Sequence, residues 1–199
     1  MGLSYGWSDT RLIFTDGDRT RIQQSTYLLN FTYATPKGAV YSVAVGPNMG
    51  GQMEGLRRSI GERWTIRPGV VWSLTFARRF LGTRPRQPFV LVVGTMSGSS
   101  TTTVRDSDGE RAGFHAFDVK GDVSVGYTLG EAWSPYLALR AFGGPVFWRR
   151  DGEMVTGTDL YHVSVAAGFN LTLANRVSVF FDGAFVGLRS LSAGLSVRF

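Results

Sequence analysis

Apolar and polar side chains alternate along most of this chain, which is the period expected of extended strands. The clearest run extends from residue 64 to residue 76, with apolar side chains at the even positions and mostly small or polar ones at the odd positions. Two further runs, at 117–129 and 161–173, place their apolar side chains at the odd positions. No stretch of the sequence has the 3.6-residue period of an amphipathic helix. The pattern therefore predicts an all-β protein.

Seven more segments are read as strands, and turn-forming residues separate them. They lie at 3–7, 27–33, 39–45, 89–95, 137–147, 177–185 and 191–199. The first loses its alternation near Asp9, where we expect a bulge, and Asp16-Gly17 is expected to turn the chain into the second strand. Together the segments predict an antiparallel up-and-down β-barrel of about ten strands, in a single domain over residues 1–199. Eight strands is the alternative if the N-terminal hairpin is not part of the wall.

The connections between these segments alternate in length. Tight turns are predicted at 36–38, 85–88, 130–134 and 174–176. Longer polar stretches at about 46–62 and 97–113, and shorter ones near 150–154 and 187–190, alternate with them, and the Gly- and Ser-rich stretch Met96–Thr103 is expected to be mobile. Short turns at one end and longer loops at the other are typical of a barrel that crosses a membrane.

The last nine residues carry the most specific signal. Apolar side chains stand at every second position from Leu191 to Phe199, and the chain ends on phenylalanine. This ending resembles the C-terminal signal strand of bacterial outer-membrane β-barrels, through Gly194, Val197 and Phe199. The resemblance implies that the outer-membrane barrel assembly machinery reads these three residues.

Alternation alone does not decide whether the apolar face points outward to lipid or inward, as in a soluble lipocalin-like ligand-binding barrel. The polar faces of the clearest strands are rich in Ser, Thr, Gly, Ala and Asn rather than in Lys and Glu, which suits an enclosed lumen. Aromatic residues of the apolar parity also fall near predicted strand ends: Trp64, Phe76, Tyr127, Phe147, Tyr161 and Phe199. We therefore predict that the apolar parity faces lipid.

Composition narrows the class of protein further. No run approaches the length of a transmembrane helix, and the absence of cysteine excludes disulfides and thiolate metal sites. The formal charge of +6 comes almost wholly from arginines that are scattered along the chain, so we predict no nucleic-acid partner. No phosphate-binding glycine loop or His-Glu metal spacing occurs, and no cofactor is predicted. Met1 precedes neither a basic nor an apolar segment, so a mature chain is expected.

The predicted lumen carries charges of both signs. They are Asp118, Lys120, Asp122, Arg140, Asp182 and Arg198. Unpaired charges are costly in a low-dielectric interior, so we expect these side chains to pair across the lumen. The pairs either form a plug of salt bridges or line a narrow water-filled pore, and the sequence does not separate the two.

One pair of lumen residues raises an enzymatic alternative. His162 and Ser164, two positions apart on one strand, resemble the catalytic pair of the outer-membrane lipid A deacylases. That family has Asn after the Ser and Glu about a dozen residues on, whereas Val165 and Arg176 stand here. Asp182 has suitable parity, but hairpin pairing is expected to place it opposite Gly168, away from His162. We therefore predict no catalytic residues and expect a non-enzymatic protein.

Seven further arginines are predicted to lie at or beyond the outer rim. They are Arg57, Arg58, Arg63, Arg105, Arg111, Arg149 and Arg150. Guanidinium groups suit phosphate, so these arginines are candidates for binding lipopolysaccharide, with ordinary solvated loop charge as the alternative.

Over nearly its whole length the chain resembles the small barrels of the outer-membrane protein A, X and W kind in Gram-negative bacteria. The resemblance implies an integral protein of the bacterial outer membrane, acting as a structural anchor or a porin-like narrow channel for small solutes. Omptin-like proteases also use ten strands, but we expect this chain to be too short for their extended wall.

Overall fold

The structure, a computed structural model, describes residues 1–81, 87–130, 132–173 and 176–197. The predicted turns at 85–88, 130–134 and 174–176 lie partly outside these ranges, and Arg198 and Phe199 lie outside them altogether. The strands are β1 (Gly2–Phe14), β2 (Arg19–Ala34), β3 (Ala39–Gly55), β4 (Arg63–Ile66), β5 (Gly69–Arg79), β6 (Pro88–Arg105), β7 (Arg111–Tyr127), β8 (Trp133–Gly143), β9 (Val146–Arg150), β10 (Glu153–Asp159), β11 (Val163–Leu173), β12 (Val177–Ala184) and β13 (Arg189–Val197). Within the described ranges, no helix has the length and hydrophobicity needed to span a membrane.

The thirteen strands form ten wall strands, because three pairs continue one another across short breaks. These pairs are β4 with β5, β8 with β9, and β10 with β11. Neighbours along the chain are antiparallel, and β13 pairs with β1 to close the ring. The prediction of an antiparallel up-and-down barrel of about ten strands is confirmed. The N-terminal hairpin is part of the wall, so the reason given for eight strands is wrong.

The part of the wall nearest the chain ends, here called the lower barrel, has an apolar outer surface. Its outward side chains include Leu3, Tyr27, Phe31, Val43, Leu74, Phe76, Val123, Leu137, Val165 and Leu195, all of them exposed. A soluble ligand-binding barrel would turn these side chains inward, because a contiguous apolar surface of this size is unfavourable in water. The apolar parity of these strands therefore faces lipid, as predicted.

Above this apolar band the wall continues as a second, narrower ring, here called the upper barrel. At its break β10 leaves β11 and pairs instead with the end of β1, where Leu12 lies opposite Asp159. The strands β11, β12 and β13 stop below this level, so eight strands form the upper ring: β1, β2, β3, β4, β6, β7, β9 and β10. Both strand counts therefore occur in one molecule, at different heights.

The upper barrel reverses the distribution of apolar side chains, since its interior is filled by them. Ten buried residues form this apolar core: Leu12, Phe14, Ile22, Met53, Trp64, Ile66, Ala112, Phe114, Val146 and Trp148. The prediction that Trp64 and Ile66 share the lipid-facing side of residues 70–76 is wrong. The pairing of this strand with β6 shifts by one residue between Ile66–Thr103 and Val70–Ser100, which turns the first two side chains inward.

The expected bulge at Asp9 is absent, because β1 pairs with β2 in one unbroken register from Gly2 to Ile13. The apolar and polar alternation is interrupted in the sequence because the residue types on both faces change at this height. Along β1, the outward positions change from the apolar Trp7 to the charged Asp9. The inward positions change from small polar residues to the apolar Leu12.

Two predicted loops are largely strand. β3 runs to Gly55, and β6 and β7 together occupy most of 97–113. The stretch Met96–Thr103, expected to be mobile, pairs with strands on both sides. The expected short wall is also wrong, since β6 has 18 residues and a bilayer needs only about 9–11 per strand. The predicted turns at Asp16-Gly17 and 36–38 are present, with positive φ angles at Gly17 and Gly38.

Candidate functional site

Four of the predicted lumen charges form one cluster, in which Asp122, Arg140 and Asp182 are buried. The Arg140 guanidinium donates two hydrogen bonds to the Asp182 carboxylate, at 2.8 and 2.7 Å. Its Nε lies 3.3 Å from Oδ1 of Asp122, and Lys120 Nζ lies 3.9 Å from the other oxygen of Asp122. The lumen thus holds two carboxylates against two cations in a nearly neutral network. Such pairing offsets part of the cost of removing these charges from water.

Strand register explains why these residues meet. Asp122 and Arg140 are directly opposite on β7 and β8. Asp182 lies two strands away from β8, with Gly168 of β11 between it and Tyr136 of β8. The Tyr136 hydroxyl crosses this glycine and donates to Asp182 at 2.8 Å, and a Cβ at Gly168 would lie 2.6 Å from that hydroxyl. The predicted pairing of Asp182 with Gly168 is confirmed.

Asp118, another predicted lumen charge, is not part of this cluster. Asp118 accepts a hydrogen bond from the backbone N–H of Gly143, at 3.0 Å. Arg198 lies outside the described residues.

The structure does not assemble the hydrolase pair. Ser164 faces the lumen opposite Arg140, fully buried, and its hydroxyl has no hydrogen-bond partner among the described residues. His162 lies at the break before β11, where its Nδ1 is 3.2 Å from the carbonyl oxygen of Phe142. No hydrogen bond joins His162 to Ser164 or to Asp182 within the part of the chain that the structure describes. The general base that Ser164 would need is therefore not in place.

A cavity of about 460 Å³ with a mixed polar and apolar lining lies beside the charge cluster. Its lining includes Ser8, Gln24, Thr26, Arg140, Asp182 and Ser192. Directly above it, the apolar core fills the axis of the barrel. Trp64 and Trp148 are only 2% and 1% exposed, and their rings meet edge to face at 5.0 Å. The axial path from the lumen to the upper end is therefore blocked by packed side chains.

Two arginines cover the upper end of this core. Arg105 lies 4.6 Å above the Trp64 ring and pairs with Asp108, Glu110 and Asp151. Arg150 lies 5.4 Å from the Trp148 ring and pairs with Asp16 and Asp18 at 3.0 and 3.1 Å. We call these two side chains and their carboxylate partners the arginine cap. Because the acids already occupy both guanidinium groups, Arg105 and Arg150 are poorly placed to bind lipid phosphate.

Asp18 anchors the cap from below. It is fully buried and accepts backbone hydrogen bonds from Arg19, Arg58 and Ser59. Burial would raise the pKa of this carboxyl, but the hydrogen bonds from Ser59, Arg150 and the backbone outweigh it and lower the pKa to about 2.

The proposed assembly signal is only partly visible. Gly194 lies in β13, where a Cβ would come within 2.5 Å of the Phe180 ring. Val197 is the last residue of β13 and exchanges backbone hydrogen bonds with Met1. Recognition of these residues and of Phe199 by the assembly machinery stays a prediction.

Sequence reasoning missed the apolar core and the arginine cap. A signal was present, since Leu12, Phe14 and Ile22 share the parity of the lumen-facing serines and threonines of β1 and β2. No group of side chains with metal-binding geometry occurs among the described residues.

The fold is similar to that of two outer-membrane proteins of Escherichia coli. One is the outer membrane protease OmpT, with a TM-score of 0.53, 9% sequence identity, and coverage of 100% of this chain and 97% of the other. The other is the transport unit of the autotransporter AIDA-I, with a TM-score of 0.51, 11% identity, and coverage of 100% and 89%. No protein-family model and no curated protein sequence matches this chain. The ring of ten wall strands, its outward apolar band and these similarities define the class of protein: an outer-membrane β-barrel.

Proposed function

We propose that this protein is a non-enzymatic structural component of the bacterial outer membrane whose barrel is closed to solutes. On this proposal the lower barrel spans the bilayer, and the upper barrel stands above it on the extracellular side. Its partners are the lipid bilayer, lipopolysaccharide and, during biogenesis, the barrel assembly machinery.

The apolar core is the observation that carries this proposal. A channel needs a continuous water-filled path, whereas here two tryptophan rings and eight other apolar side chains pack across the axis. The charge cluster below them is internally paired, which favours a scaffold over a selectivity filter. The narrow-channel alternative rests on the lumen cavity, which ends beneath this core.

Single-channel recording in planar bilayers tests closure. We expect no steady conductance from the parent protein. As a positive control, Trp64→Ala combined with Trp148→Ala removes the two largest side chains of the core and is expected to produce openings. A steady parent conductance that changes in Asp122→Asn or Arg140→Gln would overturn the proposal and establish the channel.

Cysteine labelling tests the orientation of the barrel in the membrane. Because the sequence has no native cysteine, only the introduced cysteine can react. Ile60 lies in the loop between β3 and β4 and is 75% exposed. An Ile60→Cys variant is expected to react with a membrane-impermeant maleimide on intact cells. A Lys37→Cys variant, in the turn at the opposite end, is expected to react only after the cells are opened. The reverse pattern would place the upper barrel in the periplasm.

The non-enzymatic part of the proposal is tested by incubating the folded protein with lipid A and following the release of acyl chains. We expect no release above that of detergent alone. Release that disappears in Ser164→Ala would establish the hydrolase instead.

A further inference from the structure

The outer wall carries an arginine cluster at the height where the apolar band ends. On β1 the outward side chains change from Trp7 to Asp9 and Arg11. Arg189 of β13 lies opposite Asp9, and Arg21 of β2 lies opposite Arg11. Three guanidinium groups from three adjacent strands therefore share one patch with a single carboxylate.

Arg21 alone of these three arginines forms a salt bridge within the described residues, although the charge of Arg189 also acts on Asp9. Arg21 pairs with Asp9, its Nε lying 2.8 Å from Oδ1, and Gln23 donates to the same carboxylate at 3.3 Å. Arg11 and Arg189 are exposed and have no ion-pair partner among the described residues. Their state contrasts with that of Arg105 and Arg150, whose charges are neutralised in the arginine cap.

An apolar floor adjoins the arginines. Tyr161, at the break before β11, and Phe185 and Val186, in the turn between β12 and β13, line the same concave surface of about 530 Å³. Phe185 and Val186 are more than 60% exposed. The turn that carries them is seated on β11, because the Phe185 N–H donates to Val165 O and a Cβ at Gly187 would lie 2.3 Å from Val163 O. The floor is therefore part of the wall and not a free loop.

We propose that this concave surface binds the phosphorylated headgroup of a glycolipid of the outer leaflet, a proposal that rests on the extracellular placement of the upper barrel. Arg11 and Arg189, which form no salt bridge within the described residues, supply forked donors for a phosphate, and the aromatic and aliphatic floor covers the start of its acyl chains. Charge and apolar surface thus lie side by side in one concave surface.

Lipid binding to the detergent-folded barrel, followed by native mass spectrometry, tests the site. The probe is bis-phosphorylated lipid A, and enzymatically dephosphorylated lipid A is the matched ligand. The test variant is Arg11→Gln with Arg189→Gln. The matched control is Arg111→Gln with Arg149→Gln, which removes the same charge from exposed positions of the upper barrel.

The test variant is expected to weaken lipid A binding at least tenfold, and the control variant less than twofold. Dephosphorylated lipid A is expected to bind the parent protein as weakly as lipid A binds the test variant. Equal loss in both variants would show that net charge alone attracts the lipid and would overturn the site. Competition by millimolar inorganic phosphate would show a free-anion site and would also overturn it.

The two proposals fail in different ways. Labelling of Ile60→Cys only in opened cells would overturn the extracellular placement, whatever the lipid titration gives. Correct labelling together with unchanged lipid A binding in the test variant would overturn the headgroup site alone. A cold-to-boiled gel mobility shift in every variant establishes that each one is folded.

Discussion

Gly168 occupies the position where the Tyr136 side chain crosses β11 to reach Asp182. We expect Gly168→Ala to destabilise the barrel by about 1–3 kcal/mol, because the new Cβ would press on the tyrosine hydroxyl and on the carbonyl oxygen of Phe181. Gly94→Ala is the matched control, since no atom lies within 4 Å of its Cβ position. Urea unfolding from lipid vesicles, followed by circular dichroism, measures the difference. Equal stability of the two variants would contradict the crossing.

Asp159 gives the junction between the two barrels a dependence on pH. Burial, aided by the nearby charge of Asp118, raises the pKa of this carboxyl from 3.8 to about 6, against a hydrogen bond from Thr10 and the charge of His162. A raised pKa in the folded state means that the ionised form is disfavoured there, so stability falls as the pH rises from about 4 through 6.

Asp159→Asn is therefore expected to raise the free energy of unfolding at pH 7.5, by about 1–3 kcal/mol, and to leave it nearly unchanged at pH 4. Urea titrations at the two pH values make the comparison. A gain of equal size at both would show that ionisation of Asp159 is not the cause.

At the scale of the element, the alternation of β5, β7, β8, β11 and β13 was enough to predict strand and outward face. It failed for β4, where the register shift after Ile66 reverses the face, and near Asp9 of β1. A single sequence carries no mark of this one-residue shift, because the apolar residues continue at even positions on both sides of it while the face that they occupy changes. The pairing of β10 with β1 was not predictable either, since it joins residues far apart in the chain.

The charge cluster shows the same limit. Parity was sufficient to place Asp122, Arg140 and Asp182 in the lumen. Which of them touch depends on strand register, and the crossing of Tyr136 over Gly168 depends on a three-strand alignment that no local pattern encodes.

The core of the upper barrel should respond strongly to truncation. Trp148→Ala is expected to lower the free energy of unfolding by about 3–5 kcal/mol, because it removes a fully buried ring and its contacts with Phe14 and Trp64. Trp133→Ala, at an outward position 45% exposed, is the matched control and is expected to cost less than half as much. A similar loss in both would mean that the upper core does not stabilise the fold.

The turn between β1 and β2 is expected to loosen in acid. The pKa of Asp18 is lowered to about 2 in the fold, so its contribution is complete above about pH 4 and is lost as the pH falls towards 2. The protection factors of the Arg58 and Ser59 amides, which donate to Asp18, should fall across that range once the exchange rates are corrected for the intrinsic effect of pH. In Asp18→Asn exchange should be fast already at pH 6. An unchanged rate in this variant would contradict the anchoring role.

At the scale of the whole molecule, closure of the ring predicts resistance to dodecyl sulfate in the cold. We expect the folded protein to migrate differently on a gel before and after boiling, because a closed membrane barrel keeps its hydrogen-bonded wall until it is heated. An Asp9→Pro variant, which places proline where β1 bonds both neighbours, should lose the shift. Identical mobility of the unheated and boiled parent protein would contradict a closed barrel.

The two pairings of β1 have a consequence for the order of assembly. The C-terminal end of β1 pairs with β10 and closes the upper ring, and the N-terminal part of β1 pairs with β13 and closes the lower ring. If β1 paired with β13 first, residues from the two ends of the chain would have to come together in one step. Once Asp159 has paired with Leu12, only the segment between Asp159 and Arg189 has to fold back onto β1. The pairing of β1 with β13 then closes a short loop instead of a long one. Because the entropy lost in closing a loop grows with its length, prior closure of the upper barrel lowers the entropy cost of closing the lower barrel.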